Sequence, residues 1–507
     1  MLRTHLTALE TSARRCPRAT VFKLPRSDSP SNHAQDWHSI TYRQFHSDVE
    51  SSARYWSFVL AENGVSAGSV VGLWIGGYTY SDVLNIYGIS RAGFIPQLFS
   101  LRLPSAEVIF ELLTQSNAKA VIYETAFAGA LRESPVPAFM AASPEDLCGA
   151  AEYSLCALVP CSYRWLDSAA IKSSEINVPR SPDRQDVTVW MGSMCHIGQT
   201  FMLIGSLQHG SCVIQPTQIG FSAEELCAMV HRCGLNRLNQ FAAFLASHLR
   251  ASRTDPKLLS LLCGLDEVLY SGMPLPREEE EWAYRSGIKL RNLFGSTEAG
   301  ATLRSVGGTE STAALLQPLQ GTSYRFIPVT EGGASAYQST ARLVEFVISA
   351  DSPDCPHPSL RNQDGHFHTG DLFQEVAPGK YISKGRADDW IKSENSLRCD
   401  TKSIEDNARM QCGPLISECV VVGSGRPSPV LFVEPGTDMD SEKLKKEIIR
   451  KTRQFHSRRY LHERITSTDK IVVVPPKTLP RTLTKGNIRR MAVEETFKAL
   501  LDEIHAP

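Results

Sequence analysis

The sequence lacks the features that direct a protein to a membrane or to a nucleic acid. Its 53 basic and 54 acidic residues leave a formal charge of −1, which excludes a global attraction to polyanions. No apolar run reaches the length that crosses a bilayer, and the N-terminal residues lack the apolar core of a signal peptide. We therefore expect a cytoplasmic protein that binds neither membrane nor nucleic acid.

Cysteine pairs with a metal-binding or redox spacing are also missing. None of the 13 cysteines belongs to a CxxC pair or to a zinc-like array, so neither a metal centre nor a disulfide framework is predicted. Internal repeats and low-complexity tracts are absent as well. The 507 residues, 42% of them apolar, exceed what one hydrophobic core usually serves, and they predict at least two domains.

Strand and helix signals alternate through most of the chain. Apolar strand-like runs such as SVVGLWIGG and AVIYE are separated by helical patterns such as YSDVLNIYGISR. This order is typical of an α/β fold, with layered, mostly parallel sheets covered by helices. Near residue 388 the pattern changes to a small α+β lobe, with strands at ECVVVGSG and SPVLFVEP and a charged helix over residues 441–459. We predict domains over residues 1–387 and 388–507.

Residues 367–392, FHTGDLFQEVAPGKYISKGRADDWIK, contain two polar clusters. In the first, Gly370 permits a tight turn and Asp371 offers two acceptor oxygens, which suit a pair of ribose hydroxyls. In the second, Gly385 and Arg386 offer a turn and a guanidinium suited to phosphate. Each cluster alone is more often an ordinary turn or a solvated loop.

Two further motifs stand in a fixed order around these clusters, NLFGSTEAG before them and LPRTLTKGNIRR after them. The set resembles the adenylate-forming superfamily, which includes acyl-CoA synthetases, adenylation domains of nonribosomal peptide synthetases and luciferases. The sequence of these motifs is most similar to fungal stand-alone or synthetase-like adenylation enzymes. The resemblance implies a large domain followed by a mobile cap that rotates about a hinge at Asp388.

The resemblance also implies a two-step reaction that uses ATP and Mg²⁺. A carboxylate is first activated as an acyl-adenylate, and a thiol then displaces AMP. Because no carrier domain follows the last motif, coenzyme A or a separate carrier protein is the expected acceptor. The segments near residues 239–245, 269–273 and 292–300 would form the acid pocket, and they are apolar enough to suit an aryl or fatty group without specifying the acid. Fungal secondary metabolism is the implied setting.

The resemblance assigns roles to individual residues. Those implied to bind the nucleotide are Gly272, Pro274, Asn292, Leu293, Phe294, Gly295 and Ser296, with Asp371 and Arg386 on the ribose. Thr297 is implied to contact the α-phosphate and Glu298 to hold magnesium, although GSTE also fits a helix N-cap. His196 is implied to lie near the acid at a helix start, and a structural histidine is the alternative.

Two expected motifs are missing or altered. The superfamily's phosphate loop, a Ser/Thr/Gly-rich run ending in Pro-Lys, has no counterpart before His196, where residues 152–158 look like the scar of a deleted segment. In the C-terminal motif Asn487 occupies the place of the usual lysine, and Lys485 is the candidate substitute. The chain is therefore interpreted either as an active ligase with a weakened or rearranged phosphate-binding site or as a non-catalytic relative that binds nucleotide or acyl ligand without turnover.

The last part of the chain is basic, with 16 Lys and Arg against 7 Asp and Glu from Lys443 onward. A solvated helix face explains this excess, and a lobe that meets ATP or coenzyme A phosphates is the alternative. No aromatic residues alternate with these charges, so a stacking platform for nucleic acid is not predicted.

Overall fold

A computed structural model describes residues 3–26, 36–99, 106–131, 133–143, 163–308, 312–329, 343–387, 390–392, 398–459, 461–481 and 488–505. The chain divides into two compact units. The first contains Met1–Phe326, Val347–Thr369 and Glu375–Ile382, and the second contains Ile327–Phe346, Gly370–Gln374 and Ser383–Pro507. The domain boundary between residues 387 and 388 stays a prediction.

Helices and strands alternate through the first unit. The helices are α1 (His5–Arg15), α2 (Tyr42–Glu62), α3 (Tyr80–Arg91), α4 (Ala106–Gln115), α5 (Tyr163–Ile176), α6 (Ile197–His209), α7 (Ala223–Cys233), α8 (Ala242–Ser252), α9 (Pro256–Gly264) and α10 (Arg277–Arg285). The strands are β1 (Thr20–Pro25), β2 (Trp37–Thr41), β3 (Val70–Trp74), β4 (Ile95–Phe99), β5 (Ala120–Tyr123), β6 (Ala138–Met140), β7 (Val187–Val189), β8 (Cys212–Ile214), β9 (Arg237–Phe241), β10 (Glu267–Ser271), β11 (Leu290–Ser296), β12 (Gly300–Ser305) and β13 (Leu316–Pro318).

Side-chain caps fix where several of these helices begin. The Thr41 side chain accepts a hydrogen bond from Gln44 N, which fixes the start of α2. Thr79 and Asp82 form a capping box at the start of α3. Helix α7 begins after Ser222 and ends at Gly234, whose φ of 74° is left-handed. Local sequence therefore sets the length of these elements.

Two sheets form the framework of the first unit. The smaller one has the order β4-β3-β5-β6, and all of its strand pairs are parallel. In the larger one, β1, β8, β7, β9, β10 and β11 are joined by parallel pairs. Antiparallel pairs add β2 beside β1, and β12 and β13 beyond β11. The predicted α/β class with mostly parallel sheets is confirmed.

Apolar residues from both faces of the sheets form the core of the first unit. One cluster joins α1, α2 and α3 to the buried strands β1, β3 and β5, and it includes Phe22, Phe45 and Trp56. A second cluster packs α7, α8 and α9 against β9 and β10. The strands β9 and β10 are buried along almost their whole length, as expected for strands covered on two faces.

Four long strands follow β13: β14 (Tyr324–Pro328), β15 (Leu343–Ile348), β16 (Phe367–Ala377) and β17 (Lys380–Arg386). Some residues of these strands belong to the first unit and the others to the second. Strand β13 pairs antiparallel with β17 through Leu316 and Tyr381. The ring of Tyr381 stacks on Phe326 at a centroid distance of 3.7 Å.

The C-terminal part of the second unit is a small α+β arrangement, as predicted. Its elements are β18 (Trp390–Lys392), β19 (Arg398–Asp400), α11 (Thr401–Cys412), β20 (Ile416–Val422), β21 (Val430–Pro435), α12 (Ser441–Ser457), β22 (Ile471–Val473), α13 (Arg490–Thr496) and α14 (Lys498–Ile504). Strand β21 pairs antiparallel with β20 and parallel with β22. Helices α11 and α12 contribute Ile404 and Leu444 to the core of this sheet.

Among the described residues, no helix has both the length and the apolar content that a membrane crossing requires. The same part of the chain holds no group of three His, Cys, Asp or Glu side chains placed to bind a metal ion.

Candidate functional site

The carboxyl ends of neighbouring parallel strands form the edge at which the predicted nucleotide residues of the first unit lie. Strands β9, β10 and β11 pair in parallel, and they end at Phe241, Ser271 and Ser296. In open parallel sheets, ligands bind at this edge. The sequence therefore brings Gly272, Pro274 and residues 292–298 to the edge where the fold places ligand sites.

The turn after β10 exposes backbone. Gly272 has a φ of 91°, which favours glycine, and it is followed by Met273 with 63% of its surface exposed. Pro274 is exposed as well. The turn is tied to the next strand, since Ser271 Oγ donates to Leu293 O at 2.7 Å. A flat group could lie against this backbone.

Residues Asn292–Ser296 belong to β11. Asn292 N donates to Ser305 Oγ at 2.8 Å, and Leu293 is buried while Phe294 is partly exposed. Gly295 packs directly against the Gly300 carbonyl of β12, so a Cβ at this position would clash with backbone. Only glycine permits this close approach between the two strands.

Residues Thr297, Glu298 and Ala299 form the loop that joins β11 to β12, hereafter the 297–299 loop. The strands pair from Ser296 to Gly300, so the GSTE motif closes a β-hairpin and the alternative of a helix N-cap is wrong. Thr297 and Glu298 are exposed, whereas Ala299 is buried. The loop thus presents a hydroxyl and a carboxylate side by side.

Buried donors on α5 hold the backbone of the 297–299 loop. Trp165 Nε1 donates to Glu298 O at 3.0 Å, and Lys172 Nζ donates to Ala299 O at 3.0 Å. On the loop itself, Ala299 N donates to Ser296 Oγ at 3.3 Å. Neither α5 residue could be found from the sequence, because nothing in its local pattern marks it as a partner of a loop more than 120 residues away.

Phe241, at the end of β9, lies next to residues from two other segments of the first unit, His196 and Gly272. Its ring meets the His196 ring edge to face at a centroid distance of 5.2 Å. A Cβ at Gly192 would lie 2.7 Å from the Phe241 ring, and a Cβ at Gly272 would lie 3.1 Å from it. The ring therefore fills space that two glycines leave open. In the sequence, Phe241 belongs to the apolar segment near residues 239–245, and no other pattern marks it.

His196 lies at the start of α6, as predicted. It is the N-cap of this helix, and its Nδ1 accepts a hydrogen bond from Gly198 N at 3.1 Å. The side chain is exposed. His196 thus combines the capping role of a structural histidine with a place beside Phe241, and its role toward the acid stays a prediction.

Asp371 and Arg386 lie together in the second unit. Asp371 Oδ1 is 3.4 Å from Arg386 Nη1, and the carboxylate side chain is 14% exposed against 53% for the guanidinium. The predicted turns at both clusters are wrong, because Gly370 lies inside β16 and Gly385 inside β17. Both glycines nevertheless have left-handed φ values, 72° and 81°, so each distorts its strand at the residue before the charged side chain.

Several residues singled out in the sequence lie outside the described part of the chain: the hinge Asp388, the C-terminal Lys485 and Asn487, and residues 152–158 of the expected phosphate-loop region. The structure describes Arg481 and Ile488, the residues on either side of the segment that contains Lys485. There Arg481 pairs with Ile488 in an antiparallel bridge, and Arg481 Nη2 donates to Glu434 Oε2 at 2.6 Å.

Comparison with known proteins agrees with this geometry. Residues 388–507 match the family model of the AMP-binding enzyme C-terminal domain. The AMP-binding domain-containing enzyme iboA of Amanita muscaria (strain Koide BX008) is 33% identical over 518 residues, which cover 94% of this chain and 98% of iboA. The chain belongs to the AMP-binding, adenylate-forming enzyme family. An anthranilate–CoA ligase of Pseudomonas aeruginosa is 28% identical over 199 residues, covering 37% of this chain and 38% of the ligase.

Solved structures of AMP-binding enzymes share the fold. The O-succinylbenzoate coenzyme A synthetase MenE from Bacillus subtilis, in complex with ATP and magnesium ion, has a TM-score of 0.72 at 16% identity and covers 96% of this chain and 99% of its own. The anthranilate CoA ligase AuaEII, in complex with anthranoyl-AMP, has a TM-score of 0.70 at 18% identity and covers 98% and 97% of the two chains.

The donor groups of the 297–299 loop are chemically suited to a magnesium ion bound to a nucleotide. Magnesium in nucleotide sites is usually held by one or two carboxylates together with phosphate oxygens and waters, so a dedicated cage of protein ligands is not required. Glu298 offers one exposed carboxylate on a loop whose backbone is fixed. An ATP-bound magnesium ion could therefore be held there without further protein ligands.

Proposed function

We propose that this AMP-binding enzyme uses ATP to activate a carboxylic acid as an acyl-adenylate and then transfers the acyl group to the thiol of coenzyme A or of a separate carrier protein. A role in fungal secondary metabolism and a cytoplasmic location belong to the same proposal. The observation that carries it is the 297–299 loop, which presents Thr297 and Glu298 from an anchored backbone at the carboxyl edge of the sheet.

In the first step, a carboxylate oxygen of the acid bonds to the α-phosphorus of ATP while the bond from that phosphorus to the leaving pyrophosphate breaks. The enzyme's contribution is to hold the reactants in line and to balance the charge that develops on the phosphate. Thr297 offers a hydroxyl donor to the α-phosphate, and Glu298 would hold the magnesium. When bound, that ion neutralises charge on the phosphates.

The remaining contacts orient the nucleotide and the acid. Asp371, with two acceptor oxygens, would receive the ribose hydroxyls, and Arg386 beside it offers further N–H donors. The turn at Gly272 and strand residues 292–296 would flank the adenine. The Phe241 ring and His196 would border the acid.

In the second step, the thiol sulfur attacks the acyl carbon, and the bond from that carbon to the AMP oxygen breaks. The thiol proton is released, and AMP leaves as the good leaving group created in the first step. In the proposal, the C-terminal residues move about Asp388 between the two steps, and Lys485 bridges the carboxylate and the α-phosphate in the first.

A second candidate is a non-catalytic relative that binds nucleotide or acyl ligand without turnover. The observation that favours it is the absence of a Ser/Thr/Gly-rich run with a terminal Pro-Lys before His196, together with Asn487 in the place of the usual lysine. Loss of one preorganised donor at comparable sites costs roughly a hundred- to a thousandfold in rate, so loss of a whole loop would be severe.

Exchange of radiolabelled pyrophosphate into ATP distinguishes the two candidates. The wild-type protein is assayed with a panel of aryl and fatty carboxylates, and the melting temperature is measured with and without AMP. Exchange that depends on an added acid supports the ligase and rules out the non-catalytic candidate. An AMP-induced rise in melting temperature without exchange from any acid supports the non-catalytic candidate and rejects the ligase.

A further inference from the structure

Two buried donors on one face of α5 fix consecutive carbonyl groups of the 297–299 loop. Trp165 and Lys172 are seven residues apart, which places them two turns apart on the same side of the helix. Their side chains donate to Glu298 O and Ala299 O, each at 3.0 Å. The peptide units on both sides of Ala299 are thereby held, while the Thr297 and Glu298 side chains stay exposed.

The Lys172 ammonium is held in turn by a buried carboxylate. Lys172 Nζ lies 2.7 Å from Asp354 Oδ2, and each of the two side chains is 1% exposed. Ser352 Oγ donates to Asp354 Oδ1 at 2.5 Å, and the Tyr324 hydroxyl donates to Oδ2. Burial lowers the pKa of Lys172, and the Asp354 carboxylate opposes that shift.

Stability alone does not explain why Lys172 and Asp354 form a buried ion pair. The desolvation of two charges often exceeds their attraction, and apolar side chains of similar volume can stabilise a core equally well. What apolar side chains cannot do is orient a carbonyl group. The Lys172 ammonium makes both of its short contacts in fixed directions, one to the Asp354 carboxylate and one to the Ala299 carbonyl.

We propose that Lys172, held by Asp354, is a positioning residue that sets the geometry of Thr297 and Glu298 for magnesium-bound ATP. This inference rests on the proposed function, in which those two side chains meet the α-phosphate and the metal. It assigns Lys172 no contact with the nucleotide, since its ammonium is buried and is directed at Ala299 O and Asp354.

The test uses the double variant Lys172→Met with Asp354→Asn, which removes both charges and keeps the volumes close to the originals. The single variant Lys172→Met would leave Asp354 ionised and buried, and it is the one at risk of misfolding. The charge-matched control is Arg237→Met combined with Asp186→Asn, which likewise removes one buried cation and one buried carboxylate, while Glu267 keeps Arg180 at 2.7 Å. Arg237 is a buried cation at the start of β9, paired with Asp186 at 3.1 Å and with Glu267 at 2.8 Å, and it lies away from the 297–299 loop in the sequence and in its contacts.

Hydrogen–deuterium exchange without nucleotide gives the first readout. In the double variant, peptides that contain residues 296–300 should exchange about tenfold faster or more, whereas peptides from β9 should keep wild-type rates. The charge-matched control, Arg237→Met with Asp186→Asn, should show the reverse pattern. Unchanged protection of residues 296–300 in the folded double variant would overturn the inference, whether or not the protein is a ligase.

Nucleotide affinity gives the second readout. The double variant should bind ATP with magnesium at least about tenfold more weakly than wild type, a loss of about 1.4 kcal/mol, while its affinity for AMP without magnesium changes less than about threefold. Equal losses for both ligands, or none for either, would contradict a positioning role. If the wild-type protein binds neither ligand, the proposed function itself fails, and that result is visible before any variant is made.

Discussion

Asp371 and Arg386 are ion-paired, with Asp371 Oδ1 3.4 Å from Arg386 Nη1, although fifteen residues separate them. Each of the two charged residues directly follows a left-handed glycine, Gly370 in β16 and Gly385 in β17. The carboxylate is mostly shielded from solvent and the guanidinium is about half exposed. A carboxylate held in this way is ordered before any ligand binds, which reduces the entropy lost on binding.

Asp371→Asn should therefore weaken AMP binding by about ten- to a hundredfold, because hydrogen bonds to a charged acceptor contribute roughly 1.5–3 kcal/mol. The dissociation constant is measured by isothermal titration calorimetry. Glu375→Gln is the matched control, since Glu375 is exposed on the same strand and accepts a local hydrogen bond from Gly379 N at 2.8 Å. Equal affinities for Asp371→Asn and wild type would remove Asp371 from the ribose site.

Glu298→Gln should lower the rate of acid-dependent pyrophosphate exchange by roughly a hundredfold or more, because a preorganised group that stabilises developing charge is lost. The affinity for AMP without magnesium should stay close to that of wild type. Glu278→Gln, an exposed carboxylate in the first turn of α10, is the control. A rate loss that excess magnesium fully restores would agree with metal binding, whereas a rate equal to wild type would exclude it.

Gly192→Ala should change which acids are accepted. The added methyl group would lie 2.7 Å from Phe241 Cε2, so the ring must move. Changes in the size of an apolar pocket alter discrimination by about 1–3 kcal/mol, and kcat/KM ratios between large and small acids should shift accordingly. Gly264→Ala is the control, since no heavy atom lies within 4 Å of its added Cβ. An unchanged ratio would place the acid away from Phe241.

Stability should fall as the pH drops from about 6.5 towards 4. Burial lowers the pKa of His248 to about 4, with Glu224 opposing, and burial also lowers the pKa of His5 and of His456 to about 4. In this range the unfolded chain binds protons that the folded chain does not, so each such histidine costs up to about 1.4 kcal/mol per pH unit.

The variant His248→Phe tests this dependence. His248 already packs against the Phe221 ring at a centroid distance of 5.4 Å, so an aromatic replacement suits the site. Melting temperatures from pH 7.5 to pH 4.5 should fall less steeply in the variant than in wild type. Equal slopes of melting temperature against pH in the variant and in wild type would show that His248 binds its proton as readily in the folded chain as in the unfolded chain.

Much of the fold could be predicted from sequence, because its signals are local. Thr41 and Ser222 each precede a helix and cap it, and the buried strand β3 lies where an apolar run predicts it. The order of alternating elements then predicts parallel pairing. The small α+β lobe was predicted in the same way, from two apolar strands and one charged helix.

The errors have a common physical cause. Gly370 and Gly385 were predicted to be in turns, since left-handed glycine is most frequent there, but glycine also permits a distortion within a strand. GSTE has the pattern of a helix cap, yet its residues end one strand and begin the loop to the next. Local sequence specifies the backbone angles in such cases, and long-range pairing decides which element forms.

Several contacts between distant residues have no signal in the sequence. Lys172 and Asp354 are 182 residues apart, and neither stands in a motif. Phe241 is one apolar residue among several until Gly192, Gly272 and His196 are seen around it. Such groupings depend on which strands are neighbours in the sheet.

Transfer of heavy oxygen from acid to AMP tests the central claim most directly. A carboxylic acid labelled with heavy oxygen at both carboxylate oxygens is incubated with the protein, ATP, magnesium and a thiol acceptor, and the AMP is analysed by mass spectrometry. The proposed attack of the carboxylate on the α-phosphorus predicts one heavy oxygen in each AMP released. AMP that forms without label, or no AMP with any acid, would contradict adenylation by this protein.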